Sequence, residues 1–169
     1  MAEFSNGRGG WVHSVSFSAN GDKLACVGHD YSISVVAAAN QAQIYTVKGE
    51  FLPLLTCTWI TNNSVVAAGH DYVPLLFNCD DVGQLSFNQR LDMVEKKESE
   101  TVSAMAKFRT LDKQASSGDS SKASNTTHQN AITQISIYSG DKGATSKFAT
   151  TGIDGRFVIW DVKSLESTI

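Results

Sequence analysis

Two histidine–aspartate pairs, His29-Asp30 and His70-Asp71, carry the side chains most able to do chemistry in this sequence. Two imidazoles and two carboxylates have the donor set for a divalent metal ion, and such an ion could activate a water or polarise a carbonyl. Their setting argues against that use. Each pair stands in a Gly-His-Asp-Tyr string, and a third copy reads Gly152-Ile153-Asp154-Gly155, with isoleucine where a ligand would stand. A string repeated at an interval marks equivalent turns on successive structural units, and such turns are expected to lie too far apart to share one ion. The three cysteines, Cys26, Cys57 and Cys79, fall in or beside apolar runs and lack the close spacing and histidine partners of a zinc site, so they read as reduced core thiols. The stretch "GRGGWV" lacks the strand–loop–helix context of a phosphate-binding loop, and no nucleophile motif is present. The reading is a protein without catalytic residues, metal or cofactor.

What positions these pairs is a repeat. Asp30, Asp71 and Asp154 lie 41 and 83 residues apart. A period of about 40–45 residues belongs to propeller blades of four short antiparallel strands, so the second interval holds one period plus an insertion of about 42 residues. Around each aspartate the apolar residues alternate, as strands with one or both faces buried require. In the first unit Val12, Val15 and Phe17 point to one face. Leu24 with Cys26 and Ile33 with Val35 mark the next strands, and "QAQIYTVKG" supplies a fourth. The second unit runs "LLTCTWI", "SVVAAG", "VPLLFN" and "QLSFNQRL", with Pro74 at a strand start or edge, where its missing donor is tolerated. The third runs "HQNAITQISIY", "KFATTG" and "RFVIWDV", and the tail "VKSLESTI" alternates too weakly for a fourth strand. The expected fold is all-β. It comprises a glycine-rich segment 1–10, blades 11–49 and 50–90, an inserted arm 91–127, and a last blade 128–169 without its outer strand.

Composition agrees with a soluble globular chain. Of 169 residues, 41% are hydrophobic and 18% charged, with a formal net charge of −3. Mild acidity argues against nucleic acid or a membrane surface as partner, since both call for clustered Lys and Arg. No apolar run approaches the roughly 18 residues of a membrane-spanning helix. "MAEFSNGRGG" has no hydrophobic stretch and does not read as a signal peptide, so the expected compartment is the cytoplasm.

The strings "FSANGDKLACVGHD" and "HQNAITQISIY…KFATTGIDGRFVIWDV" resemble the WD-repeat family. In the third unit the resemblance assigns the family's strand-linking hydrogen-bond set to His128, Thr150, Asp154 and Trp160. An imidazole, a hydroxyl, a carboxylate and an indole N–H can satisfy one another when buried. The first unit departs from the pattern, with Arg8 at the histidine position and Val36 at the tryptophan position. The second has Phe77 at the tryptophan position and no histidine at the expected offset. Those two blades are expected to rely on packing instead. A closer resemblance is carried by "EFLPLLTCTWITNNSVVAAGHD", the insertion "SAMAKFRTLDKQASS" and the ending "TTGIDGRFVIWDVKSLES". Together they are similar to the C-terminal part of the subunit 1 propellers of the actin-related protein 2/3 complex, from about Gly10 onward. That resemblance implies a WD-repeat β-propeller fragment, about three blades of a seven-bladed ring. It also implies a structural role in actin filament nucleation and branching, in the cytoplasm and cytoskeleton. The implied partners are the other subunits of the complex and the actin filament. The alternatives are a generic WD-repeat interaction scaffold or a truncated fragment without function. An open arc of blades leaves apolar faces and a strand edge uncovered, so the sequence favours a truncated product over one closed by other chains.

Within the insertion the period changes. Ala104, Met105, Phe108 and Leu111 share one face of a helix placed at about residues 99–113. Glu98 and Glu100 precede it and Lys107, Arg109 and Lys113 lie toward its end, an order that suits the helix dipole. "QASSGDSSKASNTT" then reads as a flexible tether. Such a helix either folds back on its own propeller or forms an arm for a partner. The resemblance implies the arm, reaching toward actin of the mother filament with Met105, Phe108, Arg109 and Leu111 at the contact.

Overall fold

A computed structural model of the chain describes residues 10–38, 43–92 and 126–162. Those residues form eleven antiparallel strands and no α-helix, an all-β arrangement in three successive meanders. The first meander is β1 (Val12–Phe17), β2 (Lys23–Gly28), β3 (Ser32–Ala37) and β4 (Ile44–Lys48), paired in that order. The second is β5 (Leu54–Thr61), β6 (Ser64–Gly69), β7 (Leu75–Cys79) and β8 (Leu85–Arg90). The third is β9 (Ile132–Asp141), β10 (Ala144–Gly152) and β11 (Phe157–Asp161). A single pairing, Ala144 with Thr61, stitches the third meander to the second. The architecture is that of a partial WD-repeat propeller. The inserted helix and its tether lie outside the described residues.

Pro74 sits immediately before β7, where it removes no ladder donor, and its carbonyl accepts from Leu91 N–H. The middle blade explains why its strands read as nearly continuous apolar runs. Val65 and Ala67 of β6 enter a core shared with the first blade, beside Ile33, Val35, Trp59 and Phe77. Val66 and Ala68, one residue out of phase, join Ile60 and Leu76 of their own blade in a second core with Ile132 and Phe148 of the third blade. A strand buried on both faces has no position to spare for polar side chains.

Polar ties cross the blade boundaries as well. The Trp59 indole N–H donates to Ser16 O at 2.9 Å. Lys23, nearly buried, donates to Asn63 Oδ1 at 2.8 Å and Asn62 O at 3.2 Å. From the turn between β9 and β10, Lys142 reaches back to β1 and donates to Phe17 O at 3.2 Å.

The outer blades differ from the middle one. An irregularity in the β1–β2 pairing between Val12 and Ser14 lets Val12, Val15 and Phe17 be exposed together, while Ser16 is buried. At the other end β11 pairs with β10 alone among the described residues, and Phe157 and Ile159 of β11 are exposed.

Candidate functional site

The three Gly-x-Asp strings lie at the turns from second to third strand of each meander, and the structure gives each residue type a reason. A Cβ on Gly69 would stand 2.2 Å from Pro53 O, and one on Gly152 2.6 Å from Asp154 Oδ1. The residue after each aspartate takes a left-handed backbone: φ is 61° at Tyr31, 66° at Tyr72 and 74° at Gly155. Glycine enters that region freely, whereas a tyrosine there costs about 1–2 kcal/mol. The first two turns therefore hold strain that the third does not.

In the third blade His128, Thr150, Asp154 and Trp160 form one connected network. His128 is fully buried and its Nδ1 lies 3.1 Å from both Asp154 oxygens. Its Nε2 lies 2.8 Å from Thr150 Oγ1, which also accepts the Trp160 indole N–H at 2.8 Å. With the imidazole neutral and its proton on Nδ1, every group is satisfied. Trp160 donates to Thr150, Thr150 to His128, and His128 to Asp154. Asp154 also accepts Gln129 N–H at 2.8 Å and Arg156 N–H at 3.1 Å. Burial works against its charge, but these two N–H groups and the imidazole overcome it and bring its carboxyl down to about 2.

The first and second blades do not rely on packing alone, which corrects the expectation for them. Phe77 does pack at the tryptophan position, in edge contact with Phe51 and Phe87, and Val36 is buried at the equivalent place. The polar half of the network is replaced rather than lost. Arg90, the last residue of β8, donates to Asp71 Oδ1 at 3.3 and 3.4 Å, and Leu52 N–H fills Oδ2 at 2.7 Å. Lys48, the last residue of β4, stands 3.0 Å from Asp30 Oδ2. The signal was present in the sequence, since Lys48 and Arg90 follow their aspartates by 18 and 19 residues. Among the described residues of the third blade Asp154 meets His128 instead, with Arg156 Nε 4.0 Å from Oδ2.

A second correction concerns distance. The His29 and His70 rings are only 6.4 Å apart between centroids, and His13 Nε2 lies 3.1 Å from His29 Nδ1. Neighbouring blades set β1 beside β5, which draws these turns together across the boundary. Proximity does not make the pairs a metal centre, because both aspartates are turned to Lys48 and Arg90. Among the described residues no group of three or more His, Cys, Asp or Glu is arranged to hold an ion. The cysteines are free thiols, and burial pushes Cys57 up to about 12, far from a reactive thiolate. Met105, Phe108, Arg109 and Leu111 lie outside the described residues. The fold grips the insertion at its two ends, where Asp92 accepts the Thr127 hydroxyl at 2.9 Å and the Thr127 N–H.

No protein-family model matches the chain. Among curated proteins, the actin-related protein 2/3 complex subunit 1A-B of Xenopus laevis is 51% identical over 170 residues, taking in 100% of this chain and 46% of that protein. Subunit 1B-A of the same organism is 45% identical over 95% of this chain and 44% of its own length. The subunit 1 of Schizosaccharomyces pombe is 33% identical over 90% of this chain and 45% of its own length. The chain thus spans a little under half the length of these relatives.

Proposed function

Because this chain corresponds from end to end to part of the actin-related protein 2/3 complex subunit 1 sequences, we propose that it serves as a structural, non-catalytic component of that complex, in actin filament nucleation and branching in the cytoplasm. The observation that carries the reading is the 51% identity, in an alignment that takes in the whole chain and therefore the insertion as well as the blades.

The propeller blades supply rigid walls against neighbouring subunits, and the insertion supplies the contact with actin. The sequence puts Met105, Phe108 and Leu111 on one helical face, suited to a hydrophobic groove, with Lys107 and Arg109 beside it for an acidic surface. Burying three such side chains contributes about 1.5–3 kcal/mol each before ordering costs, enough for a contact that acts only alongside others. The test is to change Met105, Phe108 and Leu111 to Ser in the complete subunit, rebuild the complex and image branching from preformed filaments. Assembly is expected to survive and branching to fall. Normal branching would remove the arm from the mechanism, and failed assembly would place the segment on its own propeller or a neighbouring subunit.

A further inference from the structure

The turn between β1 and β2 places an asparagine directly before a glycine. Gly21 has φ 78°, in the left-handed region that glycine enters freely, so the hairpin favours a residue without a side chain there. A Cβ added to Gly21 would meet nothing within 4 Å, and both Asn20 and Gly21 are exposed, so water reaches the peptide that joins them. The Asn20 side chain is held in one pose. Its Oδ1 accepts the Ser18 hydroxyl at 2.8 Å and the Asp22 N–H at 3.3 Å, and its Nδ2 donates to Asp22 Oδ2 at 2.9 Å. The bond to a backbone N–H two residues on turns the side chain forward over the Gly21 peptide. Two donors on Oδ1 also draw electron density from the amide carbon Cγ and stand ready for negative charge on that oxygen.

We propose that Asn20-Gly21 is a site of spontaneous deamidation in the folded chain, and that the product loosens the boundary between the first two blades. The Gly21 N–H gives its proton to water and the nitrogen bonds Asn20 Cγ, moving an electron pair onto Oδ1. The pair returns, the Cγ–Nδ2 bond breaks, and Nδ2 takes a proton from water and leaves as ammonia. Water then adds to one carbonyl of the cyclic imide that remains. Opening at Cγ gives aspartate, and opening at the backbone carbonyl gives isoaspartate, whose main chain runs through Cβ and Cγ. Against the first step stands the Gly21 N–H, which donates to Ser18 O at 3.0 Å and must let go. Losing an exposed bond of this kind slows the reaction by roughly two- to tenfold. Either product exchanges the amide that donates to Asp22 for a second carboxylate, so like charges meet in the turn. Isoaspartate also lengthens the backbone inside a turn closed by Ser18 N–H on Lys23 O at 2.8 Å and Lys23 N–H on Ser18 Oγ at 3.0 Å. Lys23 ties this hairpin to Asn62 and Asn63 of the second blade, which is how the change reaches the boundary.

The test incubates the full chain in neutral buffer at body temperature, natively and in denaturing urea. Peptide mass spectrometry follows the gain of one mass unit at each asparagine, and enzymatic methylation counts isoaspartate. Asn6-Gly7, the other such pair in the chain, is the internal reference. Asn62 and Asn63, exposed but not followed by glycine, are the slow controls. Native Asn20 is expected to convert well ahead of Asn62 and Asn63, at a rate no more than about tenfold below its own rate in urea. A chain carrying Asn6→Gln, aged until Asn20 has converted, is expected to unfold at a lower urea midpoint than the fresh chain, and adding Asn20→Gln should hold that midpoint constant through ageing. An Asn20 that stays intact natively while Asn6 and the unfolded chain convert overturns the proposal. So does an Asn20→Gln chain whose midpoint falls with age as fast as its parent's.

Discussion

A carboxylate that accepts two backbone N–H groups and an imidazole is held in its charged form, and Asp154 is in that position. Its folded-state value of about 2 lies below the ordinary 3.8, so its contribution is complete above about 3.8 and is lost as pH falls through 2. Asp154→Ala leaves His128 Nδ1 and two backbone N–H groups without these partners and should cost about 1–3 kcal/mol at neutral pH. Urea midpoints measured along a descending pH series should show that cost, with the gap between the two proteins narrowing as the window from 3.8 to 2 is crossed. The network members were legible through the resemblance to WD repeats, which assigns those four residue types to marked positions of a blade. The partners of Asp30 and Asp71 carry no such mark and were missed. A lysine and an arginine at strand ends look like ordinary solvated charges until the strand is seen folding back over the turn.

At the scale of elements, the fourth strand of a blade has a task beyond covering the third. β4 and β8 each end on the cation that meets their own blade's aspartate, so outer strand and inner turn are bolted together. Arg90→Ala should release that bolt in the second blade, with a loss of about 1–2 kcal/mol by thermal or urea unfolding. Arg90→Lys should recover only part, since a single ammonium cannot reproduce the two guanidinium contacts with Asp71 and the further one with Glu50 O. Strand positions were legible because alternation is local, written in "LLTCTWI" or "RFVIWDV" without reference to anything distant. The approach of His29 to His70 was not. It depends on how closely two sheets pack, and periodicity within a strand carries no information on that.

For the whole molecule the arc of blades has unequal ends. The β1 end presents Trp11, Val12, Val15 and Phe17, and the β11 end presents Phe157 and Ile159 along a strand with an unpaired edge among the described residues. Apolar faces of this kind promote association. The chain expressed alone should sediment as species larger than a monomer, with the distribution shifting upward with concentration, and Val15→Ser with Phe17→Ser should move it back. A monomer at all concentrations would mean that the ends cover themselves. The clasp of Asp92 on Thr127 bears on evolution and engineering alike. Because Asp92 and Thr127 are held together, the points at which the chain leaves the second blade and enters the third are fixed by the blades themselves. The clasp is therefore a socket, into which inserts of different length and recognition chemistry can be plugged while the propeller that carries them stays the same.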